Sequence, residues 1–316
     1  MKTVSVVMCT YNGAKYLKEQ LDSIINQTYP IYELIIQDDC STDDTVAIVK
    51  EYMEKYSFIK LFINEHNLGF NQNFKSAAMK ATGDYIALSD QDDVWFPNKL
   101  EKQVATVGNY DICCSPCLRG KELSTSHLHK WKYKFEYQLF NATYGHTMLC
   151  RRDFLQRDES WMLSMWFDWG LSVQACLHRG IIGVSEPLNW HRQHDGEVTT
   201  GESCEKSSIF APYIKGYAKY RELQQNENWQ YLYSYIYQHT NNRFPLIHKM
   251  CGLLLKEDKL SLLCLCFICM KHREDIYPSN KSHGIMGYLR GFFFPLINAY
   301  FNQDQYRVFP TATSSV

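Results

Sequence analysis

From its start to Leu88 the chain alternates between two periodicities, and this alternation restricts the fold more than any other feature. Val4 to Cys9 is an almost unbroken apolar run, the pattern of a strand buried on both faces, after which Leu17, Leu21, Ile24 and Ile25 recur at helical spacing. Glu33 to Gln37 begins the cycle again, followed by Val46, Val49, Met53 and Tyr56 on one helical face, with Ser41 or Thr42 as its cap. Ile59 to Ile63 is a third strand. Phe74, Ala77, Ala78 and Ala81 mark a third helix, and Gly83 ends it ahead of a fourth strand, Tyr85 to Leu88. A β-α-β-α-β-α-β order predicts an α/β fold with a parallel, Rossmann-like sheet covered by helices on both faces. Its ligand then sits beyond the carboxyl ends of the strands.

Past about Asp111 the rhythm loosens into short strands and loops, then a helix from Asp168 to His178 with Gly180 as its stop. From Ser207 onward the pattern is mostly helical, an appendage to the sheet. At 316 residues, 45% hydrophobic, the chain is long enough for one large domain plus that appendage. Lys and Arg total 33 against 34 Asp and Glu, so the chain has no basic footprint for nucleic acid, and an anionic ligand must be met by local groups. Met1 to Cys9 lacks the length and cleavage site of a secretory signal, and the apolar run Leu260 to Met270 is far shorter than the roughly 20 residues of a spanning helix. Twelve cysteines without such a signal point to free thiols in a reducing, cytoplasmic setting. Between Lys249 and Arg290 cationic side chains outnumber acidic ones beside several aromatics. This fits peripheral contact with an anionic membrane face, at the inner side of the plasma membrane, and equally a helical appendage with a solvated rim.

Each strand ends in a polar cluster: Thr10-Tyr11-Asn12-Gly13, Gln37-Asp38-Asp39, Asn67-Leu68-Gly69 and Ser89-Asp90-Gln91-Asp92-Asp93. Singly these are ordinary turn residues, but at four successive strand ends they should meet in one cleft. Asp90 and Asp92, one residue apart after a strand, suit a hard divalent cation such as Mg²⁺ or Mn²⁺ shared with a diphosphate. A cation would also relieve the repulsion among three close carboxylates.

These motifs, with Cys40-Ser41-Thr42-Asp43, Phe70, Gly83-Asp84-Tyr85-Ile86-Ala87-Leu88, Val94-Trp95 and Arg192-Gln193-His194, resemble family 2 glycosyltransferases in order and spacing over roughly residues 3 to 200. The branch looks like the rhamnosyltransferase-like enzymes of bacterial surface-polysaccharide assembly. The resemblance implies a glycosyltransferase A-type fold, with a catalytic domain at 1–206, its nucleotide-sugar half at 1–110 and acceptor half at 111–206, and a helical region at 207–316. It implies that Tyr11 stacks on the base, Asp39 accepts the imide N–H, Asp90 meets the ribose and Asp92 the metal. Thr10, Asn12 and Asn67 join the donor site. Asp93 serves the turn or caps a helix, with metal binding as the alternative. His194 falls where a histidine contacts the metal or diphosphate, although a lone histidine is as often a structural hydrogen-bonder.

A displacement with inversion needs a carboxylate base near the acceptor hydroxyl. Phe167-Asp168-Trp169 matches the family's acidic motif before a helix, which makes Asp168 the candidate, with helix capping as the rival role and Glu159 and Asp158 as weaker substitutes. The implied reaction moves a sugar from a nucleoside diphosphate (dTDP-rhamnose or a UDP-sugar) to a saccharide or polyprenyl-linked saccharide, in O-antigen or capsule synthesis. A non-catalytic nucleotide-sugar-binding subunit is the competing class. A nucleotidyltransferase would need a Gly- and Arg-rich loop after the first strand, and a dehydrogenase a Gly-x-Gly-x-x-Gly there; Thr10 to Gly13 is neither.

Overall fold

The computed structural model describes residues 1–194, 210–277, 283–307 and 309. Strands β1 (Val4–Thr10), β2 (Glu33–Asp38), β3 (Ile59–Ile63) and β4 (Tyr85–Ser89) form where the apolar runs predict them. The second half adds β5 (Val94–Trp95), β6 (Ile112–Cys114), β7 (Cys117–Gly120), β8 (His127–His129), β9 (Leu149–Arg151), β10 (Ile181–Gly183) and β11 (Asn189–Arg192). The main sheet has seven strands in the order β10-β6-β9-β4-β1-β2-β3. β1 pairs in parallel with both β2 and β4, and β2 with β3. The all-parallel expectation holds for these four strands but not for the whole sheet, because β9 inserts antiparallel between β4 and β6. Two of its three residues, Leu149 and Cys150, sit in the short apolar run Met148-Leu149-Cys150, too brief to carry a periodicity, and the third is Arg151. A second sheet, β5-β11-β7-β8, flanks the carboxyl end of β4.

Alternation along β1 divides the core. Val4, Val6 and Met8 pack with Leu17, Leu21, Val49 and Leu100 on one face; Val7 and Cys9 pack with Phe74, Ala77 and Leu171 on the other. The C-terminal helices join that second face: Trp229, Leu232, Tyr233 and Met250 belong to the same apolar cluster as Phe140 and Trp169. Buried amides and hydroxyls fix the contact. Tyr233 donates to the Leu139 carbonyl at 2.8 Å and Asn228 to the Ser164 carbonyl at 2.9 Å. The 206/207 division lies outside the described residues. Among the described residues no helix is long and apolar enough to cross a membrane.

Candidate active site

The four strand-end clusters meet, and backbone-to-side-chain hydrogen bonds tie them together. Gln91 clasps Tyr11 at two points, its Oε1 accepting from the Tyr11 N–H at 2.8 Å and its Nε2 donating to the Tyr11 carbonyl at 3.0 Å. Gly13 leaves room for this clasp, since a Cβ there would lie 2.1 Å from Gln91 Oε1 and push the amide aside. Asn12, in the left-handed region at φ 48°, donates its N–H to Ser41 Oγ at 2.9 Å and accepts from the Thr42 N–H at 2.8 Å. The Tyr11 ring is left 49% exposed at the mouth, an aromatic face fixed by its backbone rather than by packing.

Thr10 and Asp39 are buried instead. Thr10 donates to Asp38 Oδ1 at 2.8 Å, which also accepts from Ser41 Oγ at 2.6 Å, so Thr10 and Asp38 brace the β1 and β2 ends. Asp39 Oδ1 accepts from Asn64 Nδ2 and the Leu68 N–H, both at 2.7 Å, and Oδ2 from the Gly69 N–H at 2.9 Å. Three of its roughly four acceptor positions are filled by the chain, leaving one lone pair on Oδ2. Asn67 completes the loop, donating to the Asp39 carbonyl at 3.3 Å. The helix Thr45–Met53 is braced by Asp43, which accepts from the Thr45 N–H at 3.0 Å; Ser41 and Thr42, the caps expected from sequence, bond Asp38 and Asn12.

After β4 the loop carries Asp90, Asp92 and Asp93. Burial and then the Asp93 and Asp92 charges push the Asp90 carboxyl well above its ordinary range, and its carboxylate has no hydrogen-bond partner among the described residues. Burial and Asp93 likewise raise Asp92, against the pull of His194, whose Nε2 lies 2.9 Å from Asp92 Oδ2. Arg192 donates to the Asp92 carbonyl at 3.1 Å and stacks over Tyr16, whose ring in turn packs against His194 at 4.7 Å. Crowded, partly desolvated carboxylates beside an imidazole nitrogen suit a divalent cation, which would remove the repulsion that raises Asp90 and Asp92.

Of the roles expected of Asp93, the helix cap is the one that does not hold; it lies in the loop between β4 and β5, and with His146 and His191 it forms a group whose side chains could hold a metal ion. It is fully buried and cannot cap the helix Lys99–Val107, whose N-cap is Asn98. His146 Nδ1 lies 2.7 Å from its Oδ2 and His191 Nδ1 3.0 Å from its Oδ1, with Asn189 Nδ2 at 3.2 Å from Oδ2. Burial opposes ionisation of Asp93, but the two imidazoles hold its pKa well below the usual carboxylate range. Burial pushes His146 down to about 4, so at neutral pH it is an uncharged donor to the carboxylate. These three side chains bring ligand atoms within 4.8 Å of one another, the one such group of three among the described residues. Their close contacts form a hydrogen-bonded knot that fixes the Asp90–Asp93 loop from behind, with His146 Nε2 and Asn189 Oδ1 buried and unpartnered among the described residues.

Asp168 lies in the first turn of the helix Phe167–Leu177, whose N-cap is Trp166, so it is not the cap. Its Oδ1 accepts from the Trp169 N–H at 2.8 Å and its Oδ2 from the Gly145 N–H at 3.3 Å. Burial outweighs these bonds and raises its pKa to about 6. Its charge is among those that raise Asp90, so the two carboxylates share one region. Asp158 is paired at the surface with Lys75 at 2.8 Å, and Glu159 is exposed beside it. Sequence reasoning missed Asn64, His146, His191 and Asn189. Only the recurrence of histidine in this half of the chain hinted at the last group.

Residues 5–161 match the family described as Glycosyl transferase family 2. Over 103 residues the chain is 48% identical to EpsE of Bacillus subtilis, covering 32% of this chain and 37% of that one. Over 127 residues it is 35% identical to WfgD of Escherichia coli, a UDP-Glc:alpha-D-GlcNAc-diphosphoundecaprenol beta-1,3-glucosyltransferase, covering 37% of this chain and 49% of WfgD. The matched stretches thus span less than half the length of these relatives. Among solved structures, the mannosyltransferase PcManGT of Pyrobaculum calidifontis, in complex with GDP-Man and Mn2+, aligns with a TM-score of 0.55 at 15% identity, over 95% of this chain and 86% of that one. That likeness is one of fold, a glycosyltransferase A-type sheet. The donors named for WfgD and PcManGT carry glucose and mannose, so a rhamnosyl branch stands on the motif resemblance alone. Through residues 5–161, the chain belongs to glycosyl transferase family 2.

Proposed function

We propose that the chain transfers a sugar, with inversion, from a nucleoside diphosphate to a hydroxyl of a lipid-linked saccharide in surface-polysaccharide synthesis. The observation that carries this is the convergence in one cleft of an exposed aromatic platform, a crowded carboxylate pair and a desolvated carboxylate with a pKa of about 6. Tyr11 stacks on the base, and the remaining Oδ2 lone pair of Asp39 accepts its N–H, with Asn12 and Asn67 lining the same pocket and Thr10 bracing it. Asp90 meets the ribose. Asp92 and His194 hold a divalent cation, and the nitrogen ligand favours Mn²⁺ over Mg²⁺. When bound, that ion neutralises the departing diphosphate. Asp168 takes the proton from the acceptor hydroxyl as the new oxygen–carbon bond forms and the anomeric carbon–phosphate oxygen bond breaks, its electron pair leaving with the diphosphate.

The PcManGT complex supports the donor and metal assignment by fold, and WfgD, whose name specifies a diphosphoundecaprenol acceptor, supports the lipid-linked one. A nucleotide-sugar donor and free thiols support a reaction on the cytoplasmic side. A non-catalytic binding subunit is not favoured, because it gives no reason to hold Asp168 desolvated beside the donor site. The test is nucleoside diphosphate release from UDP-, GDP- and dTDP-sugars, with and without polyprenyl-diphosphate-linked saccharides. Acceptor-dependent release supports transfer; tight donor binding with no release under any acceptor would contradict it.

A further inference from the structure

We propose that the helices Lys259–Lys271 and Gly284–Phe292 form a docking face for an anionic lipid bilayer. A helix of a globular domain ordinarily turns its large apolar residues inward. Gly284–Phe292 does the reverse: Gly287 and Gly291 are its buried residues, while Ile285 is 82% exposed and Met286, Tyr288 and Leu289 are about half exposed or similar. Gly291 must be small, since a Cβ there would come within 3.1 Å of Met270 Cα on the neighbouring helix. Lys259–Lys271 is apolar all round. Leu262, Leu265, Cys266 and Cys269 are buried, and Leu260 (69% exposed), Leu263 and Phe267 form a second stripe facing solvent. Phe267 meets Phe292 edge to face at 5.2 Å, so the two exposed stripes adjoin. An adjoining apolar surface of this kind marks an interaction site rather than scattered exposure.

The charges choose the occupant. Lys259, Lys271 and Arg290 edge the face and have no carboxylate partner among the described residues, whereas the nearby acids are engaged: Glu257 pairs with Arg221 at 2.7 Å and Asp258 caps its helix through the Ser261 N–H at 2.8 Å. A cationic rim around shallow apolar side chains matches anionic headgroups above acyl chains. A second copy of the chain would set cationic rim against cationic rim. Neither helix, at 13 and 9 residues, is long enough to span, so the contact is interfacial. The inference deepens the proposed use of a lipid-linked acceptor, but vesicle binding is read without donor, acceptor or turnover, so either can fail alone.

The experiment is flotation of the full chain with phosphatidylglycerol-containing vesicles and with pure phosphatidylcholine vesicles, at low and high salt. Binding to the anionic vesicles, weakened by salt, is expected. L260D/I285D should abolish it, and K259E/K271E should weaken it by about fivefold or more per lysine. A label on the exposed Cys264, on the same helix, gives a readout that needs no folding-sensitive variant: its emission should shift to the blue with anionic vesicles, with C264S as the blank. Absence of binding, or equal binding by wild type and both variants, overturns the proposal. So does a dimer in sedimentation velocity that L260D/I285D dissolves while vesicles leave the label unmoved.

Discussion

Replacing Asp168 with Asn separates chemistry from stability, because the structure gives the two opposite signs. With a folded pKa of about 6, the carboxylate is about nine-tenths ionised at pH 7 and about one-tenth at pH 5, so the wild-type rate should fall nearly tenfold per pH unit below 6. Asn cannot take the proton, and turnover should drop about 10²–10⁴-fold with donor affinity unchanged and the acidic limb gone. The stability consequence follows from linkage. Between the ordinary value of 3.8 and about 6, the folded chain retains a proton that the unfolded chain has released. Stability is therefore lost as pH rises through that window, by about 3 kcal/mol in all. Asn keeps an oxygen for the Trp169 N–H but loses the acceptor for the Gly145 N–H, about 1–2 kcal/mol, so at pH 7.5 the variant should melt no lower than wild type. Acceptor-dependent release across pH 4.5–8, with calorimetric melting over the same range, reads both. A variant within about tenfold of wild-type turnover, or one that melts well below it at neutral pH, would refute this account of Asp168.

Tyr11→Ala removes the exposed platform and should weaken nucleoside diphosphate binding by about 1–3 kcal/mol in calorimetry; an unchanged dissociation constant would count against stacking. Asp92→Asn should eliminate Mn²⁺-dependent donor binding, and retained metal dependence in the same titration would move the ion elsewhere. Gly13→Ala must displace the tip of Gln91, a flexible side chain, so melting should change by no more than about 1 kcal/mol while donor affinity falls as Tyr11 loses its clasp. Asp93→Asn leaves buried imidazole N–H groups of His146 and His191 without their carboxylate acceptor and should lower stability by about 1–3 kcal/mol, read by denaturant unfolding; a near-neutral effect would mean that the knot does not hold the loop.

The first four strands were legible because each carries a short apolar run, buried on both faces in β1, β2 and β4 and only partly in the edge strand β3, and their polar ends identified the cleft by the general rule for open sheets. Legibility stopped where a role depends on partners distant in sequence. Asp93 looked like a turn residue next to Asp92, and only the fold brings in His146, Asn189 and His191. Asp39 read as a free acceptor, yet Asn64, Leu68 and Gly69 fill most of its oxygens. β9 was invisible because three apolar residues fit a strand or a helix equally well, and its antiparallel insertion is settled by neighbours on both sides. In the C-terminal region the helical pattern was plain, but which face of each helix is buried was not: Gly287 and Gly291 point inward and Ile285 outward, against the usual preference.

The central claim is a single displacement at the anomeric carbon with Asp168 as base, and its most direct test is the configuration of the product. Proton NMR of the newly formed linkage, set against the anomeric configuration of the donor that the chain accepts, should show inversion. Retention would require a covalent glycosyl intermediate on a carboxylate or an internal-return route, neither of which uses Asp168 as a base on the acceptor hydroxyl in a single displacement, and would contradict the mechanism outright.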